Sequence, residues 1–122
     1  MDWTRRYIGK LGEAMAEKFL SSRGYITRDT NFTTPFGEID LVADHEGSVV
    51  FVEIKTRISE RFGPPLSAIT RVKREHIIKN CQFYIKKNSL EGMPLRVDVI
   101  GINLSEKGKF QILKHVKNAL VM

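Results

Sequence analysis

The stretch from Gly37 to Arg57, GEIDLVADHEGSVVFVEIKTR, constrains the fold more than any other part of the chain. Residues 38–44 and 49–56 alternate between apolar and polar side chains, on either side of the turn-prone HEGS. This period of two predicts two antiparallel strands joined as a β-hairpin. Asp40 and Glu53 interrupt the apolar runs, and a carboxylate in a buried strand is costly unless a charged group meets it.

Strand parity predicts where these two acids lie. If HEGS forms a four-residue loop, Asp44 pairs with Val49, and Asp40 then lies opposite Glu53 on the polar face of the hairpin. A slip of one residue would set Asp40 against an apolar side chain and destroy both faces, whereas a slip of two residues stays compatible with the pattern. The further pairs predicted by this register are Ala43–Val50, Val42–Phe51, Leu41–Val52, Ile39–Ile54 and Glu38–Lys55.

Two opposed carboxylates repel each other, and burial strengthens the repulsion. A proton, a cationic side chain or a divalent metal ion would relieve it, and the pattern alone leaves all three open. Lys55 lies two residues from Glu53 on the same face, so it can neutralise part of the pair. Oxygen ligands with no nearby thiolate suit Mg²⁺ or Mn²⁺, and the backbone carbonyl of Ile54 is a candidate for one more ligand.

The positive charge of the chain is concentrated directly after the hairpin. The net charge is +6, whereas residues 55–87 alone hold nine Lys or Arg against two acids. A basic segment beside a carboxylate pair suits a polyanion that is held by the first and acted on at the second. Taken alone, the charge run is equally typical of a solvated lysine-rich helix.

The remaining pattern predicts a single α/β domain over residues 1–122. Helices are expected at 4–23 and 67–88, and further strands at 25–32, 95–102 and 110–116, which gives the order α-β-β-β-α-β-β in a mixed sheet flanked by helices. Glu13 lies at the border of the apolar stripe of the first helix. The absence of a long apolar run, the charged N-terminal residues and the single cysteine, Cys81, predict a cytoplasmic protein with no membrane segment and no internal disulfide.

Four motifs carry a resemblance to a known family: G-x-x-G-E-x-x-A from Gly9, GEIDLVA from Gly37, VFVEIKTR from Val50 and RVDVIGI from Arg96. Together they resemble the YraN family (UPF0102) of small bacterial proteins over nearly the whole chain. That family is similar in turn to Holliday-junction resolvases and to nucleases of the PD-(D/E)xK, restriction-endonuclease-like fold. The resemblance places Ile39 where the proline of that fold's name stands.

The resemblance implies a restriction-endonuclease-like domain that hydrolyses DNA phosphodiester bonds with Mg²⁺ or Mn²⁺, on branched or structured DNA. Asp40, Glu53 and Lys55 match the D-x₁₂-E-x-K motif, and Glu13 matches an acid of the first helix. In this interpretation Asp40, Glu53, Glu13 and the Ile54 carbonyl hold the metal, and Lys55 orients or deprotonates the attacking water or offsets developing charge. The residues predicted to hold the nucleic-acid backbone without reading sequence are Arg57, Arg61, Arg71, Lys73 and Arg74.

Two other hypotheses stay open from the residues alone. A non-catalytic nucleic-acid-binding module or partner-docking subunit would bind in a salt-sensitive way without metal-dependent cleavage. A structural protein whose hairpin charges pair only with one another would gain no thermal stability from Mg²⁺. DNA is favoured over RNA by resemblance, and a homodimer is expected by analogy with the twofold symmetry of a junction.

Overall fold

The computed structural model describes residues 5–58, 69–105, 107 and 109–120, except for the side chains of residues 111 and 112. The order of elements is the predicted one, and the α/β class with a mixed sheet is confirmed. The elements are α1 (Arg5–Ser22), β1 (Ile26–Thr34), β2 (Gly37–His45), β3 (Ser48–Ile58), α2 (Arg71–Lys87), β4 (Leu95–Leu104) and β5 (Phe110–Leu120).

A capping residue marks the start of α2, and a glycine with positive φ follows the end of α1. The α2 helix begins at Arg71 rather than at 67, because Thr70 is extended and its hydroxyl accepts a hydrogen bond from the Lys73 N–H at 3.1 Å. The α1 helix is followed by Gly24, whose φ of +87° is the left-handed conformation that ends many helices. Within the described residues, no helix is long and apolar enough to cross a membrane.

The sheet has five strands in the order β1-β2-β3-β4-β5. All neighbouring pairs are antiparallel except β3 and β4, which are parallel and are joined through α2. A parallel pair needs such a crossover, and the crossover brings the N-terminal end of α2 to the sheet beside β3.

The sheet separates two hydrophobic cores, one under each helix. Ala16 and Leu20 of α1 pack with Leu41 of β2 and Val52 of β3. On the other core, Ile77, Cys81 and Tyr84 of α2 pack with Val42, Val49 and Phe51. These contacts fix both helices against β2 and β3, the two strands that carry the predicted acids.

The predicted hairpin register is confirmed over its outer part, since Asp44 pairs with Val49 and Leu41 with Val52. The prediction of a four-residue loop was wrong, because His45 also pairs with Ser48 and only Glu46 and Gly47 turn the chain. Their φ angles of 49° and 80° are the positive values that a two-residue type I′ turn requires.

The ladder between β2 and β3 ends at Leu41 and Val52, so the predicted pairs Ile39–Ile54, Asp40–Glu53 and Glu38–Lys55 are not part of it. Ile39 packs in the α2 core, whereas Leu41 packs in the α1 core, so the alternation of β2 is interrupted between them. The physical reason is at Asp40. Its side-chain oxygen Oδ2 accepts a hydrogen bond from the Ile54 N–H at 2.8 Å. In a regular antiparallel ladder, a backbone carbonyl of β2 would accept that hydrogen bond.

Candidate functional site

The site is centred on Glu53, which β3 and α2 bring together with two lysines. Lys55 Nζ lies 3.4 Å and Lys73 Nζ lies 3.1 Å from the same carboxylate oxygen, Glu53 Oε1. The Glu53 side chain is only 13% exposed, whereas the two lysine side chains are 28% and 31% exposed. The lysines therefore lie between the buried carboxylate and solvent, where an incoming anion would meet them.

Asp40 is the second buried carboxyl of the site, and its environment disfavours ionisation. Burial first, and then the nearby charges of Glu53, Glu13 and Glu38, raise the pKa of Asp40 to about 8, although the hydrogen bond from the Ile54 N–H lowers it in part. Burial also raises the pKa of Glu53, against the charge and hydrogen bond of Lys73. Without a bound cation, the carboxyl of Asp40 thus holds a proton at neutral pH.

Two further acids complete the cluster. Glu13 of α1, together with Glu38 and Asp40 of β2, presents carboxylate oxygens that all lie within 4.8 Å of one another. Because Glu13 comes from another part of the chain, the cluster forms only when α1 docks on the sheet. We call Glu13, Glu38, Asp40 and Glu53 the acidic centre.

Asn31 of β1 connects two members of the acidic centre. Its Nδ2 donates to Glu13 Oε1 at 2.9 Å and to Glu38 Oε1 at 3.0 Å, while its Oδ1 accepts from Lys10 Nζ at 2.9 Å. Lys10 Nζ also lies 3.5 Å from Glu13 Oε1. The φ of Asn31 is +50°, a left-handed value that asparagine tolerates better than most residues.

The donor set fits a hard divalent cation. It offers carboxylate oxygens, and the described Cys81 is buried in the α2 core with its thiol pKa raised to about 12 by burial and by the charge of Glu53. Oxygen-only sets are those that Mg²⁺ and Mn²⁺ prefer. The raised pKa of Asp40 reflects burial first and repulsion by Glu53, Glu13 and Glu38 second, and a bound dication would offset both.

The structure places the other predicted residues as follows. Arg71 and Arg74 are exposed at the start of α2, and Arg57 is half-buried toward the end of β3. Arg61 lies outside the described residues. For Ile54, the contact with Asp40 is made by the N–H group, and the role of its carbonyl stays a prediction.

Three residues of the site were not predicted as functional, namely Lys10, Asn31 and Glu38. The signal for Glu38 is present in the sequence, since it stands two residues before Asp40 on the same strand. No comparable signal exists for Asn31, because its role depends on the pairing of β1 with β2. Thr30 pairs with Leu41 and Phe32 with Ile39, which places Asn31 beside Asp40.

Asp98, which the sequence places in RVDVI, belongs to a separate buried network. Its fully buried carboxylate accepts hydrogen bonds from Tyr25, Arg96, His115 and the Asn118 N–H. Burial alone would raise its pKa, but the hydrogen bonds from His115, Arg96 and Asn118 hold the pKa well below its usual range. Arg96, two residues earlier on β4, forms an ion pair with Asp98 at 2.9 Å.

His45, which the predicted HEGS loop would place in the turn, is the last residue of β2 and joins this network. The His45 ring is 6% exposed and stacks on the ring of Tyr25 with 3.8 Å between centroids. His45 Nδ1 lies 3.1 Å from Arg96 Nη2. The network ties the β2 end of the hairpin to β4 and β5, which indicates a structural role.

Comparison with known proteins identifies relatives over most of the chain. The model of "Uncharacterised protein family UPF0102" matches residues 12–102. A UPF0102 protein of Dictyoglomus turgidum is 39% identical over 112 residues, which cover 92% of this chain and 95% of the relative. UPF0102 proteins of Hahella chejuensis (40% identical, covering 85% and 84%) and Clostridioides difficile (38%, covering 91% and 94%) are similar. The matched range includes every member of the acidic centre.

Proposed function

We propose that this chain, which belongs to the uncharacterised protein family UPF0102, is a Mg²⁺- or Mn²⁺-dependent endonuclease that hydrolyses DNA phosphodiester bonds. The observation that carries the proposal is that Glu13, Glu38 and Asp40 present carboxylate oxygens within 4.8 Å of one another, next to Glu53, which contacts Lys55 and Lys73 and whose charge raises the pKa of Asp40. In a purely structural set of charges, a protonated Asp40 beside three other acids would contribute no ion pair. In a metal site, the same carboxyl would release its proton and become a ligand when a divalent cation binds.

In this proposal Asp40 and Glu53 are the principal metal ligands, with Glu13, Glu38 and the Ile54 carbonyl as candidates for the remaining protein positions. When bound, a divalent metal supplies a lowered pKa for the attacking water and polarises the scissile phosphate. Asp40 must first release its proton, and the Ile54 N–H keeps the carboxylate oriented while it does so. Asn31 holds Glu13 and Glu38 at a fixed separation.

The two lysines have separate uses once an anionic substrate arrives. Both ammonium groups share one oxygen of Glu53, so either can turn toward a phosphate while the other keeps the carboxylate paired. Lys55, on the same strand as Glu53, is placed to orient the attacking water or to offset charge that develops on the phosphate. Lys73, at the start of α2, is placed to contact a phosphate next to the scissile one.

The substrate follows from the charge around the acidic centre. Arg71 and Arg74 are exposed in the first turn of α2, close in sequence to Lys73, and guanidinium groups bind phosphate oxygens without reading bases. Arg57 and Arg61 belong to the same basic segment of the sequence. DNA is the polyanion that the family resemblance favours.

The test is cleavage of supercoiled plasmid and four-way-junction DNA with Mg²⁺, Mn²⁺ or EDTA. Glu53→Gln and Lys55→Ala should each reduce the rate by at least about a hundredfold, since each removes charge at the reacting centre. The matched control is Glu75→Gln, which makes the same substitution on an exposed position of α2 and should cleave like the wild type. Circular dichroism of each variant checks that it folds.

Rates unchanged in both Glu53→Gln and Lys55→Ala would refute the catalytic assignment. Salt-sensitive binding of DNA without cleavage by the wild type would favour the nucleic-acid-binding module instead. If the wild type neither binds nor cleaves, and Mg²⁺ leaves its melting temperature unchanged, the charges are structural.

A further inference from the structure

A second surface continues from the acidic centre along α2, and Phe36 joins the two. One open groove is lined by Glu38, Glu53 and Lys73 of the site and also by Phe36. A neighbouring groove of about 590 Å³ begins at the same Phe36 and follows α2 toward its C-terminal end. Its other lining residues are Lys79, Gln82, Phe83, Ile85 and Lys86.

This second groove combines aromatic rings with positive charge. Lys79 Nζ lies 5.7 Å from the Phe36 ring centroid, and Lys87 Nζ lies 6.0 Å from that of Phe83. Among the described residues that line it, two are lysines and none is acidic. Rings interleaved with ammonium groups suit a strand whose bases stack and whose phosphates need counter-charges.

Phe36 is exposed although the chain around it is held firmly. The ring is 48% exposed at the turn between β1 and β2. The Phe36 N–H donates to Thr34 Oγ1 at 3.0 Å, and the Thr34 hydroxyl donates to Asn80 Oδ1 on α2. The Asn80 amide in turn donates to the Glu38 carbonyl at 3.5 Å. An aromatic ring on an anchored turn loses little conformational freedom when a ligand stacks on it.

We propose that this groove binds unpaired nucleotides of the DNA substrate, with a base stacked on Phe36 and phosphates beside Lys79 and Lys86. The inference rests on the proposed function, which it deepens by naming the substrate class as DNA with a single-stranded segment next to the cut. A rigid duplex keeps its bases stacked on one another and offers none to Phe36. The positive lining favours an anionic strand over an uncharged partner.

The experiment measures binding in EDTA, where cleavage cannot interfere. Fluorescence anisotropy compares a blunt duplex with the same duplex carrying a single-stranded thymidine tail that contains one 2-aminopurine. The wild type should bind the tailed duplex more tightly and quench the 2-aminopurine. Phe36→Ala should weaken binding of the tail about fivefold to a hundredfold, the range for loss of one base–aromatic stack, and leave the blunt duplex unchanged.

Phe110→Ala is the matched control, because it removes the same side chain at similar exposure, 52%, from β5 outside this groove. It should keep both the tail preference and the quenching. Lys79→Gln and Lys86→Gln should each reduce the salt dependence of tail binding, by about 0.7 in the slope of log K against log salt per lost phosphate contact.

Several outcomes would overturn the inference: no preference for the tail, Phe36→Ala indistinguishable from Phe110→Ala, or displacement of the tail by polyglutamate at equal charge. Tighter binding of a uridine tail than of the thymidine tail would overturn the assignment to DNA. Because the assay needs no cleavage, a tail preference that depends on Phe36 stands even if the wild type shows no hydrolysis. Conversely, if cleavage depends on Glu53 but the protein shows no preference for the tail, the proposed nuclease function stands and the proposed binding of unpaired nucleotides in the groove is refuted.

Discussion

We predict that replacing glycine by alanine has opposite effects on the free energy of unfolding at two positions of α1, Gly9 and Gly12. A Cβ added at Gly12 would lie 1.7 Å from Thr56 Oγ1 and 2.7 Å from Thr56 Cβ on β3. A Cβ added at Gly9 would meet nothing within 4 Å. Both positions are inside the helix, so alanine should gain about 1 kcal/mol in helix propensity at each.

The cost at Gly12 follows from these distances. Rotation of the Thr56 side chain moves its hydroxyl away but leaves its Cβ in place. To lengthen the 2.7 Å contact to the 3.4 Å of ordinary contact, α1 and β3 must separate by about 0.7 Å. Overpacking of this kind costs about 1–3 kcal/mol, so Gly12→Ala should be net destabilising by up to about 2 kcal/mol.

Urea unfolding followed by circular dichroism measures both variants. Gly9→Ala should raise the midpoint at unchanged slope, and Gly12→Ala should lower it, with melting temperatures several degrees apart. Gly12→Ala should also weaken any stabilisation by Mg²⁺, because the adjacent Glu13 moves with α1. If Gly12→Ala stabilises the protein as much as Gly9→Ala does, the close approach of α1 to β3 is refuted.

Two further predictions concern the buried acids. In EDTA, raising the pH from 5 to 8 should lower the free energy of unfolding by up to about 1.4 kcal/mol per pH unit, because native Asp40, with its pKa raised to about 8, keeps a proton that the unfolded chain releases near pH 4. Urea unfolding at several pH values should show a flatter dependence for Asp40→Asn, and an unchanged slope would contradict the raised pKa. Asp98→Asn should lower the free energy of unfolding at pH 7 by about 3 kcal/mol, since it removes the buried carboxylate that forms an ion pair with Arg96. Asp44→Asn, which breaks an ion pair with Arg28 at a carboxylate 40% exposed, should cost under about 1 kcal/mol in the same assay, and equal losses would show that the network adds nothing.

The sequence was sufficient for the features that depend on local pattern. The alternation on either side of HEGS predicted the hairpin and its register from Asp44–Val49 to Leu41–Val52. It did so because a shift of one residue would turn every apolar side chain to the wrong face. The order of elements followed from the periodicities of two and 3.6 in the same way.

Only the tertiary structure decided the composition of the acidic centre. The predicted pairing of Asp40 with Glu53 in a regular ladder was wrong, because the side chain of Asp40 competes with the backbone of β2 for the Ile54 N–H. The two acids still interact, because the charge of Glu53 contributes to the raised pKa of Asp40. Strand parity therefore predicted correctly that Asp40 and Glu53 lie near each other, but it did not predict the backbone pairing that brings them together.

The membership of Glu38 and Asn31 depends on contacts between segments far apart in the chain. Asn31 reaches Glu13 only because β1 pairs with β2 at one register and α1 docks over both. Local periodicity carries information about which face a side chain takes, since that is set by neighbours in sequence. Which charges share a site is set by long-range packing, where burial and electrostatic repulsion are balanced over the whole fold.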